Sequence, residues 1–158
     1  MNDSKEILKK RMDKLDKHFI AIREYAVLID SVLKVKNIYN PEIFQSLKAE
    51  ERAILEAYLK RFASIQDFLG SKIFPLLLEI RGIGTEKMSE VLDKIEKEGI
   101  IDSLSQWIEL REIRNDLEHD YPDDLAEALA DMRYCVEHVY TLESYYANSL
   151  RFIEGYLQ

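Results

Sequence analysis

Arg114, Asn115, Asp116, Leu117, Glu118, His119, Asp120, Tyr121 and Pro122 form the one stretch of this chain where residues able to do chemistry gather at the end of a helix rather than along its side. An imidazole titrates near neutrality, so His119 can take or give a proton. A guanidinium stays charged and can hold two phosphate oxygens at once, which suits Arg114 to stabilising a developing anion. On a continuous helix, at roughly 100° per residue, the two side chains would point about 140° apart. They converge only if the helix stops. Pro122 supplies a stop, because proline disfavours helical geometry at the residue before it and suits the first position of a following helix. A turn is therefore expected near Asp120 and Tyr121, with both side chains in one solvent-facing pocket.

The bare spacing is not distinctive. Arg133, His138 and Tyr140 repeat it, and Arg11 stands seven residues before His18. Context separates the copies. Arg133 to Tyr140 lies in an apolar periodicity carried by Met132, Val136 and Val139, so its Arg and His should splay around an unbroken helix. Only the copy beginning at Arg114 has Asn beside the Arg and Pro at a helix break.

The elements that must position this stretch are helices. Leu8, Met12, Leu15, Phe19, Ile22, Ala26, Ile29 and Leu33 step by four and three, the seam of one long helix ending near Lys36. Asn37 to Pro41 reads as a turn. A second helix runs from about Glu42, or more securely from Ala49, toward Ile80, kinked or shortened by Pro75. Thr85 is the expected N-cap of a third helix through Met88, Val91, Leu92 and Ile95, ended by Gly99. Asp102 or Ser103 caps a fourth helix that bears Trp107 and Leu110 and delivers Arg114. A fifth starts at Pro122 and continues to about Tyr156. Its seam is interrupted at Glu143, where either Leu142 takes the core position or the acid meets a cation on a partner chain. Five helices with short connections imply an all-α, antiparallel up-and-down bundle of four to five helices, spanning residues 1–158 as a single domain.

Composition agrees with that class. Hydrophobic residues make up 47% and charged residues 33%, with five Gly and three Pro, so turn formers are scarce and helix formers dominate. The lone Cys135 cannot form an internal disulfide, and its apolar context makes it a small buried hydrophobe, which points to the cytoplasm. No signal peptide or membrane span is expected. The net charge of -8 argues against tight nonspecific binding to a phosphate backbone. A cleft needs only local positive charge, however, and Arg111 lies one turn from Arg114 on the same helix face. The nine Tyr, several in the last helix, exceed what one seam can hide and suit a dimer face. The three His and one Cys are too scattered for a metal site. A mechanism with no metal and no cofactor is what remains.

The segment from Arg114 resembles the signature of the HEPN superfamily: Arg, a polar residue directly after it, four to six intervening residues, then His. Tyr121, two places after His119, narrows the resemblance to HepT-like toxins. Arg61-Phe62, Gln66-Asp67 and Leu69-Gly70 are also similar to HepT-like chains, and the likeness covers most of the length. It implies a small all-helical ribonuclease, toxin of a pair whose antitoxin is a minimal nucleotidyltransferase. In such enzymes two protomers place their motifs across a shared cleft. The site implied is thus Arg114 and His119 from each subunit of a homodimer, with Asn115 orienting the phosphate or the imidazole. The ribose 2'-hydroxyl of RNA is the nucleophile and a 2',3'-cyclic phosphate the product. The resemblance also makes Tyr121 the residue to which the partner attaches AMP. Phosphate and bulk there would block the cleft, while the ring could equally staple against Leu125. Glu118 and Asp120 surround His119 with acid, which favours the imidazolium and repels RNA. Two other readings stay open: a noncatalytic helical subunit that binds the nucleotidyltransferase or its substrate, and an unrelated helical adaptor.

Overall fold

Apolar steps of three and four build each long helix, and the computed structural model, which describes residues 2–120, 123–154 and 156, pairs their buried stripes. Helix α1 spans Asn2–Leu33 and buries Leu8, Leu15, Phe19, Ile22 and Ile29. A short helix, α2 (Pro41–Gln45), follows the expected turn, with the Asn40 Oδ1 accepting from the Glu42 and Ile43 amides at 3.0 and 3.1 Å. Helix α3 (Ala49–Phe68) lies along α1, the most extensive helix pairing in the fold.

Between α3 and α4 (Phe74–Ile80) the chain makes a π-helical turn, Leu69–Ile73, in which the Phe74 amide donates to the Leu69 carbonyl. Pro75 accounts for it. Proline cannot donate to the preceding turn and its ring crowds the carbonyl one turn back. Widening the coil by one residue relieves that crowding without ending the rod, so the expected kink takes the form of a π turn. The wide turn also sets Gly70 against Trp107, where an added Cβ would lie 3.2 Å from the indole Cζ2.

Gly82, at φ 74°, turns the chain out of α4. Helix α5 is Met88–Lys97, and Lys87, not Thr85, stands at its N-cap without a side-chain bond. The first-turn acid Glu90 reaches back to the Glu86 amide instead. Gly99, at φ 76°, ends the helix as expected, with the Ile100 amide donating to the Ile95 carbonyl. Ser103 Oγ accepts from the Gln106 amide and starts α6, Leu104–Asp120. Helix α7 (Leu125–Glu137) begins three residues later than expected, with Asp124 as its N-cap, and packs on α6. Helix α8 spans Val139–Phe152.

The last helix is therefore not continuous. His138 breaks it at φ -110°, ψ 13°, and its Nδ1 lies 2.8 Å from the Tyr134 carbonyl. Its ring stacks on Tyr134, centroids 3.8 Å apart. The Arg133–His138 repeat thus also sits at a helix break, contrary to expectation, yet the two side chains part: Arg133 donates to Glu137 at 2.8 Å. At the interrupted seam, Leu142 is fully buried and Glu143 meets a cation of its own chain, Arg23, at 3.1 Å. The architecture is all-helical among the described residues, and no helix there is long and apolar enough to cross a membrane.

Candidate functional site

Helix α6 buries Trp107, Leu110, Arg114 and Leu117, a single stripe stepping by three, four and three. Arg114 therefore occupies a core position between two leucines. It is 8% exposed, and a guanidinium so placed must find polar partners or carry a large desolvation cost. Its Nη1 donates to Asp67 Oδ1 at 2.8 Å and to the Ala63 carbonyl at 3.4 Å. Its Nη2 donates to Asn115 Oδ1 at 2.9 Å, while Nε has no partner among the described residues. Asn115 thus orients the guanidinium of its own neighbour. The ion pair is lopsided, with the Asp67 side chain 66% exposed, so solvent weakens it from one side.

His119 lies on the exposed surface of α6, one residue before the helix ends at Asp120. Helix α6 runs unbroken past Arg114 to Asp120, so no stop falls between the two motif residues. Five residues of unbroken helix leave Arg114 and His119 about 140° apart. The expected convergence of a guanidinium and an imidazole within one chain is therefore not formed: one faces the core and the other faces solvent. Tyr121, the expected modification site, and Pro122 lie outside the described residues, as does the side chain of Asp120.

The space between α3 and α6 holds two cavities that meet at Asp67. One, of about 380 Å³, runs along Lys60, Ala63 and Ser64 to Arg114, Leu117 and Glu118. The other, of about 310 Å³, lies beside Gln66, Gly70, Trp107 and Arg111, with Met88 and Leu92 of α5. Asp67 lines both, and Arg114 lines the first. Asp67 belongs to the second stretch on which the family resemblance rests, so the two stretches, 47 residues apart in sequence, meet in this ion pair. Among the described residues no group of His, Cys, Asp and Glu could hold a metal ion.

A basic cluster not expected from the sequence lies between α1 and α3. Arg61 Nη1 sits 3.0 Å from His18 Nδ1, and Lys14 stands over the Phe68 ring at 5.4 Å. Partial burial lowers the His18 pKa, and the neighbouring Arg61 and Lys14 charges lower it further. Lys14 and His18 are four apart on α1, while Arg61 and Phe68 are seven apart on α3. Helical spacing on each strip was the signal, but nothing in either strip names the other. His138, by contrast, is the joint between α7 and α8.

No protein-family model, curated protein or solved structure matches this chain.

Proposed function

We propose that the chain is a toxin-type, metal-independent endoribonuclease of the HEPN superfamily that works as a homodimer and is neutralised when a cognate minimal nucleotidyltransferase antitoxin transfers AMP to Tyr121. The observation that carries this reading is the Asp67–Arg114 bond, which joins the two sequence stretches that resemble HepT-like toxins. Exposed His119 at the end of the same helix supports it. So do Lys14 and Arg61 beside His18, which supply local positive charge on an acidic chain.

In this reading the reaction takes place in a cleft shared by two protomers, as the resemblance implies, with an Arg114 and a His119 from each. His119 takes the proton from the ribose 2'-hydroxyl as that oxygen bonds to phosphorus. The bond from phosphorus to the 5'-oxygen breaks, and the partner's His119, protonated, gives that oxygen its proton. Arg114, exchanging Asp67 for phosphate, stabilises the phosphorane. The product is a 2',3'-cyclic phosphate, and no metal ion is needed.

A second reading is favoured by one observation. In the single chain Arg114 is buried and its charge is already met by Asp67, as a structural brace would be. A noncatalytic subunit of a nucleotidyltransferase would need nothing more from it. Cleavage of single-stranded RNA by the purified protein in EDTA separates the two. The nuclease reading expects cutting that His119→Ala abolishes together with growth arrest. A folded parental protein that leaves RNA intact, or a His119→Ala variant as toxic as the parent, overturns it in favour of the second.

A further inference from the structure

The spacing of the Arg114 stretch occurs a second time. Arg133, His138 and Tyr140 stand at the same intervals as Arg114, His119 and Tyr121, five residues and then two. Both copies come at the end of a helix. Helix α6 ends at Asp120, one residue past His119, and α7 ends at Glu137, one residue before His138. In each copy a carboxylate holds the arginine, Asp67 at 2.8 Å for Arg114 and Glu137 at 2.8 Å for Arg133. Arg114, His119 and Tyr121 have tasks in the proposed function, whereas Arg133, His138 and Tyr140 have none.

Tyr140 is what the second copy offers to solvent. It is 63% exposed, while every other tyrosine among the described residues is buried or half-buried. Its hydroxyl makes no hydrogen bond among the described residues. The neighbouring phenols are committed. Tyr134 donates to Glu109 and accepts from Gln106, both at 2.8 Å, Tyr146 donates to Asp16 at 3.4 Å, and the Tyr145 hydroxyl is buried. A phenol so engaged must give up a bond or leave the core before it can react. The Tyr140 ring is held without using its hydroxyl. It stacks on His138 with centroids 5.9 Å apart, and His138 is itself fixed by its stack on Tyr134 and by the 2.8 Å contact of its Nδ1 with the Tyr134 carbonyl. A ring held in this way with its hydroxyl free loses little further freedom when a second enzyme seats it.

We propose that Tyr140, at the joint of α7 and α8, is a second acceptor of AMP. The inference rests on the proposed transfer to Tyr121, since an enzyme that reads Arg, His and Tyr at these intervals beside a helix end meets them twice on this chain. The Tyr140 hydroxyl oxygen bonds to the α-phosphorus of ATP. The bond from that phosphorus to the bridging oxygen of pyrophosphate breaks, pyrophosphate leaves, and the phenolic proton goes to water. The phosphodiester so formed adds negative charge and bulk at the joint.

Trypsin separates the two sites. Cleavage after Arg114, Arg133 and Arg151 gives residues 115–133, in which Tyr121 is the only tyrosine, and residues 134–151, which hold Tyr134, Tyr140, Tyr145 and Tyr146. The chain is produced together with the nucleotidyltransferase encoded by the adjacent gene, purified, digested and mapped by fragmentation mass spectrometry. AMP is expected on both peptides, with the group on 134–151 placed at Tyr140, retained in Tyr121→Phe and lost in Tyr140→Phe. The latter removes only an exposed hydroxyl and leaves the fold intact. AMP on Tyr121 with none on 134–151, or a group on Tyr134, Tyr145 or Tyr146 that persists in Tyr140→Phe, overturns the inference and leaves the proposed function standing. AMP on Tyr140 alone upholds the inference and removes Tyr121 from the proposed function. AMP on neither residue overturns both.

Discussion

Asp67 and Arg114, brought together from α3 and α6, share a 2.8 Å hydrogen bond in which the acid is mostly in water and the base is mostly in the core. The asymmetry makes Arg114 the partner that depends on the contact. Its aliphatic stem continues the apolar stripe of Leu110 and Leu117, and only its head requires polar company.

Removing the acid should therefore destabilise by leaving a buried charge less well paired. Asp67→Asn is expected to lower unfolding free energy by about 1–3 kcal/mol in urea titration. Arg114→Met, which keeps the stem and discards the charge, should be better tolerated than Arg114→Ala, which adds a cavity worth about 2–4 kcal/mol. Equal losses for Met and Ala would show that the charge, not the packing, holds this position.

His119 carries no such structural duty. His119→Ala should change stability by less than about 0.5 kcal/mol, while RNA cleavage falls by at least about 100-fold, the scale of a lost general acid or base. Thermal melts and gel assays on one preparation measure both.

The His18 pKa is depressed by partial burial and by the charges of Arg61 and Lys14. The folded state then binds the neutral ring in preference to the imidazolium, so the unfolded chain takes up the proton first. His18's contribution to stability is complete above its unfolded pKa, near 6.5, and is lost as pH falls through the lower folded value. Urea midpoints compared at about pH 7.5 and about pH 5 should fall further for the parental protein than for His18→Gln. Parallel falls would remove His18 from the pH response.

Cys135 is fully buried, and burial holds its thiol up at about 12. Since the thiolate is the reactive form, a thiol reagent at pH 8 should label the folded protein only at the rate of unfolding, and label it promptly in denaturant. Rapid labelling of the native protein would contradict the packing of α7.

At the interruption in the last seam, Leu142→Ala should cost about 2–5 kcal/mol. Glu143→Ala should cost less than about 1 kcal/mol, because its ion pair with Arg23 is exposed to solvent on both sides. Similar losses at both positions would mean that Glu143 has a task beyond Arg23.

Much of the fold was legible from apolar periodicity. The seam from Leu8 to Leu33, the rod from Ala49 to Ile80 and the stop at Gly99 follow from local rules, because helix spacing, proline and glycine act within one turn of the chain. The break at His138 was not legible. Met132, Val136 and Val139 continue a helical rhythm across it, and the joint is marked by contacts of His138, which stacks on Tyr134 and places its Nδ1 against the Tyr134 carbonyl. Thr85 is not the cap because α5 begins only at Met88, which leaves Lys87 at the capping position.

The sequence by itself determined the helices and the apolar faces they hide, since these depend on residues a few positions apart, while it was the structure that put Arg114 in the core instead of in a solvent-facing pocket. Only the tertiary structure decided what Arg114 meets. Its partner lies 47 residues away on α3, and no local pattern in α6 specifies which acid will answer a buried charge. The same holds for the cavity beside Trp107, whose walls come from α3, the π turn, α5 and α6. Periodicity tells a helix which face to hide, and only the packing of several hidden faces leaves a space with a shape and a chemistry.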